Sequence, residues 1–219
     1  MIDYSFPDVE TADKDGLLAA GGDLSPDMLM SAYRRGIFPW FQQDEPVLWW
    51  SPDPRCVLFP NEIKVSKSMR NILNRGVFEV RYNTDFESVI SHCKSVERQG
   101  QDGTWISNRM LQAYTTLHKL GYATSVEVYR DNKLAGGLYG VVVGDIFCGE
   151  SMFSLESNAS KVALITLAKN KNAPYRLIDC QMHTEHLESL GARNIPRHKF
   201  IQFMTNQSLL PQPHTQTNP

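Results

Sequence analysis

The sequence predicts an α+β protein in which a small N-terminal lobe precedes a larger domain built on a mixed β-sheet. Patterns in the second part follow the order strand, two helices, three strands, helix, strand, helix. The first part holds three of the four tryptophans, set among prolines that keep this stretch out of regular helix. We therefore expect a small domain over 1–62, the mixed-sheet domain over 63–204 and a loose, polar, proline-containing tail over 205–219.

The helices are predicted from apolar residues at helical spacing and from their caps. In chain order they begin at Ser25 (stopping at Gly36), in the segment of Lys67 and Arg70, after Asn83 or Thr84, at Ser107 (stopping at Gly121), after Ser157 or Asn158, at Thr184 (stopping at Gly191) and after Pro196. Alternating apolar residues predict the strands, which cover 78–82, 124–129, 133–143, 146–153 and 175–181, with a tight turn at Gly144-Asp145.

Aromatic residues of the N-terminal lobe divide into a core set and a surface candidate. Trp49 and Trp50 are expected in the core of the lobe. Trp40 follows a helix stop and is expected on a partly exposed face, where a ring can stack on an unpaired base. Trp105 lies at a loop–helix junction, where a ligand-facing ring and a core anchor are both open interpretations.

A short basic segment lies at the start of the larger domain. Lys64, Lys67 and Arg70 recur at a spacing of three, which places them on one helical face, and Arg75 follows. A solvated helix face is the ordinary interpretation, and contact with nucleic-acid phosphates is the sharper one.

One carboxylate, Glu150, falls within an otherwise apolar strand. A charge in such a place is costly unless it is paired or used, so a salt-bridged core acid and a reactive residue are both open. The preceding strand carries Gly136, Gly137 and Gly140, which we interpret as clearance for a bulky ligand.

Asp179 and Gln181 belong to the last long strand of the larger domain. Because strand side chains alternate, these two are expected on one face, with Ile178 and Cys180 on the other.

Composition excludes several function classes. The net charge of −2 argues against strong, indiscriminate nucleic-acid binding, and apolar runs are too short for a membrane span. The N-terminus lacks the features of a signal peptide, and widely spaced cysteines favour buried thiols in the cytosol. His183 and His186 have no third ligand at metal spacing, so we expect no metal and no cofactor.

Several motifs occur in one fixed order along the chain. They are GLLAAGGDLSP, RGIFPWF, LWWSPDPR, GTWI, GGLYG, FCGESMFS, ASK, LIDCQ and HLESLGA, between Gly16 and about Pro196. Together they resemble the leucyl/phenylalanyl-tRNA–protein transferase family. The resemblance implies a small N-terminal lobe followed by a domain of the acetyltransferase-like (GNAT) superfamily.

The resemblance also implies an activity and its partners. Members of this family transfer leucine or phenylalanine, and methionine less well, from aminoacyl-tRNA to the α-amino group of proteins that begin with arginine or lysine. The product enters N-end-rule degradation, and the location is cytoplasmic. No membrane and no coenzyme A are involved.

Site residues follow from the resemblance position by position. Glu150, Asp179 and Gln181 occupy the reactive-centre positions, Trp40 and Trp105 the positions around the terminal adenosine, and Lys67, Arg70 and Arg75 the tRNA-phosphate positions. The implied aminoacyl pocket is lined by Leu138, Phe147, Met152, Ser154, Leu164, Leu167 and Ile178.

Two other function classes compete with this interpretation. A coenzyme A-dependent N-acetyltransferase needs a glycine-rich loop at a helix start, and the corresponding segment 154–160 has no glycine and one acid. A non-catalytic RNA-binding module would bind bare tRNA with a steep salt dependence, which the slightly acidic composition disfavours.

Overall fold

A computed structural model describes residues 2–95, 106–172 and 174–205. The elements of the N-terminal lobe are β1 (Leu17–Ala20), α1 (Pro26–Tyr33), β2 (Phe38–Pro39) and β3 (Leu48–Trp50). The strands form an antiparallel sheet in the order β1-β3-β2. The Ser25 hydroxyl accepts a hydrogen bond from the Met28 N–H at 3.4 Å, so the predicted cap of α1 is confirmed.

The larger sheet contains seven strands in the order β10-β4-β9-β8-β7-β6-β5. Its elements and surrounding helices are β4 (Arg55–Leu58), α2 (Lys67–Asn74), β5 (Glu79–Tyr82), α3 (Phe86–Ser95), α4 (Asn108–Lys119), β6 (Ala123–Arg130), β7 (Lys133–Val143), β8 (Ile146–Ser154), α5 (Ala159–Ala168), β9 (Leu177–Gln181), α6 (Glu185–Ser189), β10 (Arg193–Ile195) and α7 (Arg197–Thr205). Only the β8–β9 pair is parallel among the described strands, so the sheet is mixed. The predicted α+β class is confirmed.

Two hydrophobic cores lie on opposite faces of this sheet. The first core joins the N-terminal lobe, α1, α3, α4 and α7 to one face. The second core joins α2, α5 and the chain around α6 to the other face. Because β4 belongs to the large sheet and the first core is continuous across both parts, the two parts pack as one body. The division at residue 62 stays a prediction.

The tryptophans of the lobe are anchored by their ring N–H groups. Trp49 is buried and donates a hydrogen bond to the Gly21 carbonyl at 2.9 Å, which confirms its core position. Trp50 is half-buried and donates to the Trp40 carbonyl at 2.6 Å. The rings of Trp40 and Trp50 pack edge to face with centroids 5.5 Å apart.

The cap predicted for α3 is wrong. Asp85 caps this helix, since its carboxylate accepts from the Ser88 N–H at 3.3 Å. Asn83 instead has a positive φ of 56°, and its amide oxygen accepts hydrogen bonds from Thr124 and Ser125 of β6. Local sequence could not distinguish three adjacent polar residues that all favour helix starts.

Among the residues that the structure describes, no helix combines the length and apolar character needed to cross a bilayer. Cys56, Cys93 and Cys148 are buried and form no disulfide among the described residues, as the sequence predicts, and Cys180 is half-buried. The predicted tail lies almost wholly outside the described residues.

Candidate active site

Two neighbouring strands, β8 and β9, position the polar side chains singled out in the sequence. They pair in parallel over three positions, the last of which joins Cys148 to Asp179. Glu150 and Gln181 follow directly after this paired part. They therefore lie where the two strands stop sharing backbone hydrogen bonds.

A β-bulge places Glu150 at this point of β8. Gly140 of β7 lies opposite Gly149, and Tyr139 lies opposite Ser151, so Glu150 is the extra residue of the longer strand. Bulges re-aim side chains and are common beside functional sites. Here Glu150 points to the first-core side, toward α1 and α4.

The same bulge reverses the alternation of side chains along β8. Cys148 packs in the first core, whereas Met152 packs against the second core, although the two are four residues apart. In a regular strand they would share a face. The bulge thus lets one strand present Glu150 to one face and Met152 to the other.

A second irregularity shapes the end of β9. Val57 of β4 lies opposite Asp179 and Cys56 lies opposite Gln181, so Cys180 is the unpaired extra residue. Gln181 has a φ of +61°, and the Met182 N–H bonds the Cys180 carbonyl at 2.7 Å. This is a tight turn of the strained kind that concentrates at functional sites.

Glu150 is buried and receives its hydrogen bonds from neutral groups. Its Oε1 accepts from the Tyr33 hydroxyl at 2.7 Å and from Gln181 Nε2 at 2.9 Å, and its Oε2 accepts from the Tyr114 hydroxyl at 2.9 Å. The two tyrosine oxygens are 2.5 Å apart. No ion pair of the described residues includes Glu150, so the interpretation as a salt-bridged acid is wrong.

Burial changes the titration of this cluster. It raises the pKa of Glu150 to about 7, although hydrogen bonds from Tyr33, Tyr114 and Gln181 work in the opposite direction. Burial, and next the nearby Glu150 carboxylate, raise the pKa of both tyrosines well above the ordinary value. Glu150 therefore changes its charge near neutral pH, which suits a proton-handling group.

Asp179 has a cationic partner that the sequence did not reveal. Arg55 of β4 donates two parallel hydrogen bonds to its carboxylate at 2.8 and 2.7 Å, and both side chains are at most 2% exposed. The guanidinium lies between the rings of Phe38 and Phe200, at 4.8 and 4.6 Å from their centroids. Asp179 also accepts from the backbone N–H of Gln181 at 2.9 Å.

The three predicted reactive-centre residues therefore come together in the structure. Asp179 faces Arg55 in the first core, while Ile178 packs in the second core, so the predicted alternation along β9 is confirmed. Asp179 holds the backbone of Gln181, and Glu150 holds its side-chain amide.

The predicted aminoacyl-pocket residues gather on the opposite face of the sheet. Six of them belong to the second core or pack against it, and the seventh, Ser154, is exposed. The core members are Leu138, Phe147, Leu164, Leu167 and Ile178, and Met152 packs against them. They line neither of two described cavities, of about 210 and 380 Å³, which lie between α2, β5 and α5. Their pocket role stays a prediction.

The space beside the glycines of β7 is filled by neighbouring segments of the same chain. A Cβ at Gly140 would lie 2.3 Å from the Cys148 carbonyl, and one at Gly136 would lie 2.6 Å from Ala159 Cβ. A Cβ at Gly137 would lie 2.7 Å from the Val126 carbonyl oxygen of β6. Our interpretation of these glycines as ligand clearance is therefore wrong, because neighbouring chain segments already occupy that space.

The remaining candidates lie outside this cluster. Trp40 is half-buried in the lobe, and Trp105 lies outside the described residues. Lys67 and Arg70 are exposed on α2, and Arg75 is exposed at its C-terminal end. None of these three cations takes part in an ion pair of the described chain.

The structure offers no described cluster of three or more histidine, cysteine or acidic side chains that could hold a metal ion. His183 instead lies 2.9 Å from the exposed carboxylate of Glu188. Asn158 begins α5 with a left-handed φ of 73° and without a side-chain cap.

Sequence reasoning missed Tyr33, Tyr114 and Arg55. The two tyrosines fit the apolar faces of α1 and α4, where a core position is the ordinary expectation. Arg55 stands next to a proline in a loop-like stretch. The usable signal was the apolar setting of Glu150, since a buried carboxylate requires hydrogen-bond donors from elsewhere.

Comparisons with known proteins point to one family. Residues 57–205 match the profile described as leucyl/phenylalanyl-tRNA protein transferase, and 22–53 match the profile of its N-terminal domain. A leucyl/phenylalanyl-tRNA–protein transferase of Flavobacterium johnsoniae is 56% identical, covering 94% of this chain and 97% of that protein. One from Syntrophus aciditrophicus is 58% identical over 89% of this chain and 82% of its own length.

Similarity to solved structures is weaker. A GCN5-related N-acetyltransferase from Kribbella flavida superposes with a TM-score of 0.37 and 9% identity, covering 77% of this chain and 60% of that one.

Proposed function

The chain belongs to the leucyl/phenylalanyl-tRNA–protein transferase family of aminoacyltransferases, and from this we propose its substrates and the roles of its site residues. It transfers leucine or phenylalanine, and methionine less well, from aminoacyl-tRNA to the α-amino group of proteins that begin with arginine or lysine. The product is marked for N-end-rule degradation. Because aminoacyl-tRNA is the donor, the protein acts in the cytoplasm.

The observation that carries the proposal is the buried, cation-free Glu150. Its Oε1 already accepts two hydrogen bonds and its Oε2 accepts one, which leaves one acceptor position on Oε2. An ammonium group is the natural partner for a carboxylate that neutral donors have pre-oriented. Glu150 binds the α-ammonium of the acceptor protein at this position.

Gln181 and Asp179 serve this site by holding geometry. Gln181 uses its Nε2 on Glu150, so its carbonyl oxygen remains available to orient the amine. Asp179 is neutralised by Arg55 and bonds the Gln181 backbone rather than its side-chain amide. Asp179 therefore sets the position of Gln181 and does not polarise its amide group.

The reaction is aminolysis of the ester between the aminoacyl group and the 3′-ribose oxygen of tRNA. This ester is already activated, so the main task of the protein is to place the amine against the carbonyl carbon. Positioning of this kind can supply about 7–11 kcal/mol. The ester lies where β8 and β9 stop pairing, between the amine site on one face and the apolar second core on the other.

The donor is held by the remaining candidates. Trp40 and Trp105 stack on the terminal adenosine, and Lys67, Arg70 and Arg75 contact tRNA phosphates. The transferred side chain enters the second core where that core meets Met152. The predicted aminoacyl-pocket residues form this binding surface, and the transfer requires no coenzyme A and no other cofactor.

The test is transfer of labelled leucine from Leu-tRNA to peptides that begin with Arg or with Met. Glu150→Gln should reduce kcat/KM about 10- to 100-fold, because one hydrogen bond between charged groups is lost. Glu87→Gln, in an exposed ion pair on α3, is the matched control and should change little.

The pattern of the loss decides the role of Glu150. An equal loss on both peptides supports binding of the α-ammonium, and a loss confined to the Arg peptide contradicts it. Wild-type protein that binds tRNA without transfer would instead favour a non-catalytic RNA-binding module. Transfer of acetyl groups from acetyl-coenzyme A would favour the acetyltransferase class.

A further inference from the structure

Tyr33 and Tyr114 are buried polar groups for which the proposed function has given no role beyond hydrogen bonding. Tyr33 ends α1 and Tyr114 lies in the middle of α4, so two helices from different parts of the chain bring their hydroxyls to one carboxylate. The contacts with Glu150 span 117 and 36 residues of sequence.

The three side chains close a ring of oxygen contacts. Glu150 Oε1 lies 2.7 Å from the Tyr33 hydroxyl, which lies 2.5 Å from the Tyr114 hydroxyl, which lies 2.9 Å from Glu150 Oε2. Each contact needs one proton to become a hydrogen bond. The two hydroxyls supply two protons, so the ring is one proton short while Glu150 is ionised.

We infer, on the basis of the proposed function, that Tyr33 and Tyr114 are positioning residues that make the Glu150 carboxylate the proton acceptor for the incoming α-ammonium. Both hydroxyls donate to the carboxylate and favour its ionised form, so Glu150 meets the ammonium as an anion that can take one of its protons.

The proton balance of the step is complete. One N–H bond of the ammonium breaks and an O–H bond forms on Glu150, which leaves a neutral amine. The amine nitrogen bonds the ester carbonyl carbon, the bond from that carbon to the 3′-oxygen breaks, and the second amine proton passes to this oxygen. The ring then releases its proton to solvent before the next cycle.

The surroundings of Glu150 fit this role. The titratable or charged groups that face it or its partners are Tyr33 on α1, Tyr114 on α4, Tyr139 on β7, Cys148 on its own strand, Asp179 on β9 and Arg55 on β4, which is paired with Asp179. The pKa of Glu150, raised by burial to about 7, lies close to that of a peptide α-amine at about 7.7–8.0. Proton transfer between such matched groups is efficient.

The test is the pH dependence of kcat/KM for leucine transfer to an Arg peptide, measured for Tyr33→Phe and Tyr114→Phe. Each change removes a donor that favours the ionised carboxylate, so the pKa of Glu150 rises. The acidic limb of the profile should move upward by about one pH unit, and the rate on that limb should fall about tenfold.

Tyr129→Phe is the matched control. Tyr129 is a buried tyrosine of β6 whose ring stacks on Arg81 at 4.3 Å, away from the Glu150 ring contacts. Removing the Tyr129 hydroxyl should leave the acidic limb of the pH profile unchanged. Should either ring variant lower the rate equally at every pH, with an unmoved limb, the tyrosines are only structural and the inference fails.

Two further results keep the test decisive. Difference titration of wild type against Glu150→Gln requires no activity and should show a midpoint near 7; a midpoint near the ordinary value of about 4.3 overturns the inference. Wild-type protein without any transfer would instead overturn the proposed function, which separates the two failures.

Discussion

At the scale of single residues, the site depends on two buried carboxylates that are treated in opposite ways. Asp179 is neutralised by a two-bond ion pair with Arg55, and Glu150 is surrounded by hydroxyl and amide donors without a cation. The first carboxylate has a cation as its partner. Burial raises the pKa of the second to about 7, so the proposed proton transfer is assigned to Glu150.

Arg55→Met should destabilise the protein strongly. It leaves the Asp179 carboxylate buried without a counter-charge, and breaking a buried pair in this way costs about 3–5 kcal/mol. Denaturant unfolding measures the change. Lys119→Met, which removes an exposed pair with Glu87 at 3.6 Å, should change the free energy of unfolding by less than about 1 kcal/mol. Equal effects of the two changes would contradict the assigned role of the Arg55–Asp179 pair.

The sequence predicted the acidic and amide residues of this site but not the residues that hold them. Glu150, Asp179 and Gln181 were identified as a set from the resemblance of the motifs that carry them. Arg55 could not be assigned, because its contact with Asp179 spans 124 residues and local pattern gives no information about such pairs. The same limit applies to the tyrosines on α1 and α4.

At the scale of elements, the position of the site residues depends on the irregularities of the strands more than on their regular parts. A period-two interpretation of β8 assigns Glu150 and Met152 to the same face, and the bulge places them on opposite faces. Apolar alternation and helix caps predicted most elements of the larger domain. These patterns could not predict the bulge, because a bulge depends on the pairing register of the neighbouring strand. They also could not predict β4 and β10, because these strands are too short to show a clear alternation.

Gly140→Ala should be costly, whereas Gly149→Ala should be tolerated. These glycines lie opposite each other beside the Glu150 bulge. A Cβ at Gly140 would lie 2.3 Å from the Cys148 carbonyl, and overpacking of this kind costs about 1–3 kcal/mol. A Cβ at Gly149 would meet its nearest atom at 3.5 Å, so that change should be neutral or stabilise by up to about 1 kcal/mol. Denaturant unfolding of both variants is the measurement, and a smaller loss at Gly140 than at Gly149 would contradict the packing argument.

At the scale of the whole molecule, the mixed sheet separates two kinds of surface. Its first-core face holds the polar ring and the Arg55–Asp179 pair, and its second-core face holds the apolar set with α2 above it. Under the proposed function, the aminoacyl group of the donor meets the apolar set and its phosphates meet the cations of α2 on this second side. In the same proposal, the acceptor amine meets Glu150 where β8 and β9 stop pairing.

The binding of tRNA should depend on a few cations and not on overall charge, because the chain carries a net charge of −2. Replacing Lys67, Arg70 and Arg75 together by glutamine should weaken binding of aminoacyl-tRNA. It should also make the slope of log K against log salt less steep by about 2–3, since each lost phosphate contact accounts for about 0.7–0.9. Replacing Lys14, Lys119 and Lys133, which are exposed elsewhere, makes the same change in net charge and should leave the slope nearly unchanged. Equal slopes in the two triple variants would mean that tRNA responds to net charge alone, and α2 would lose its assigned role.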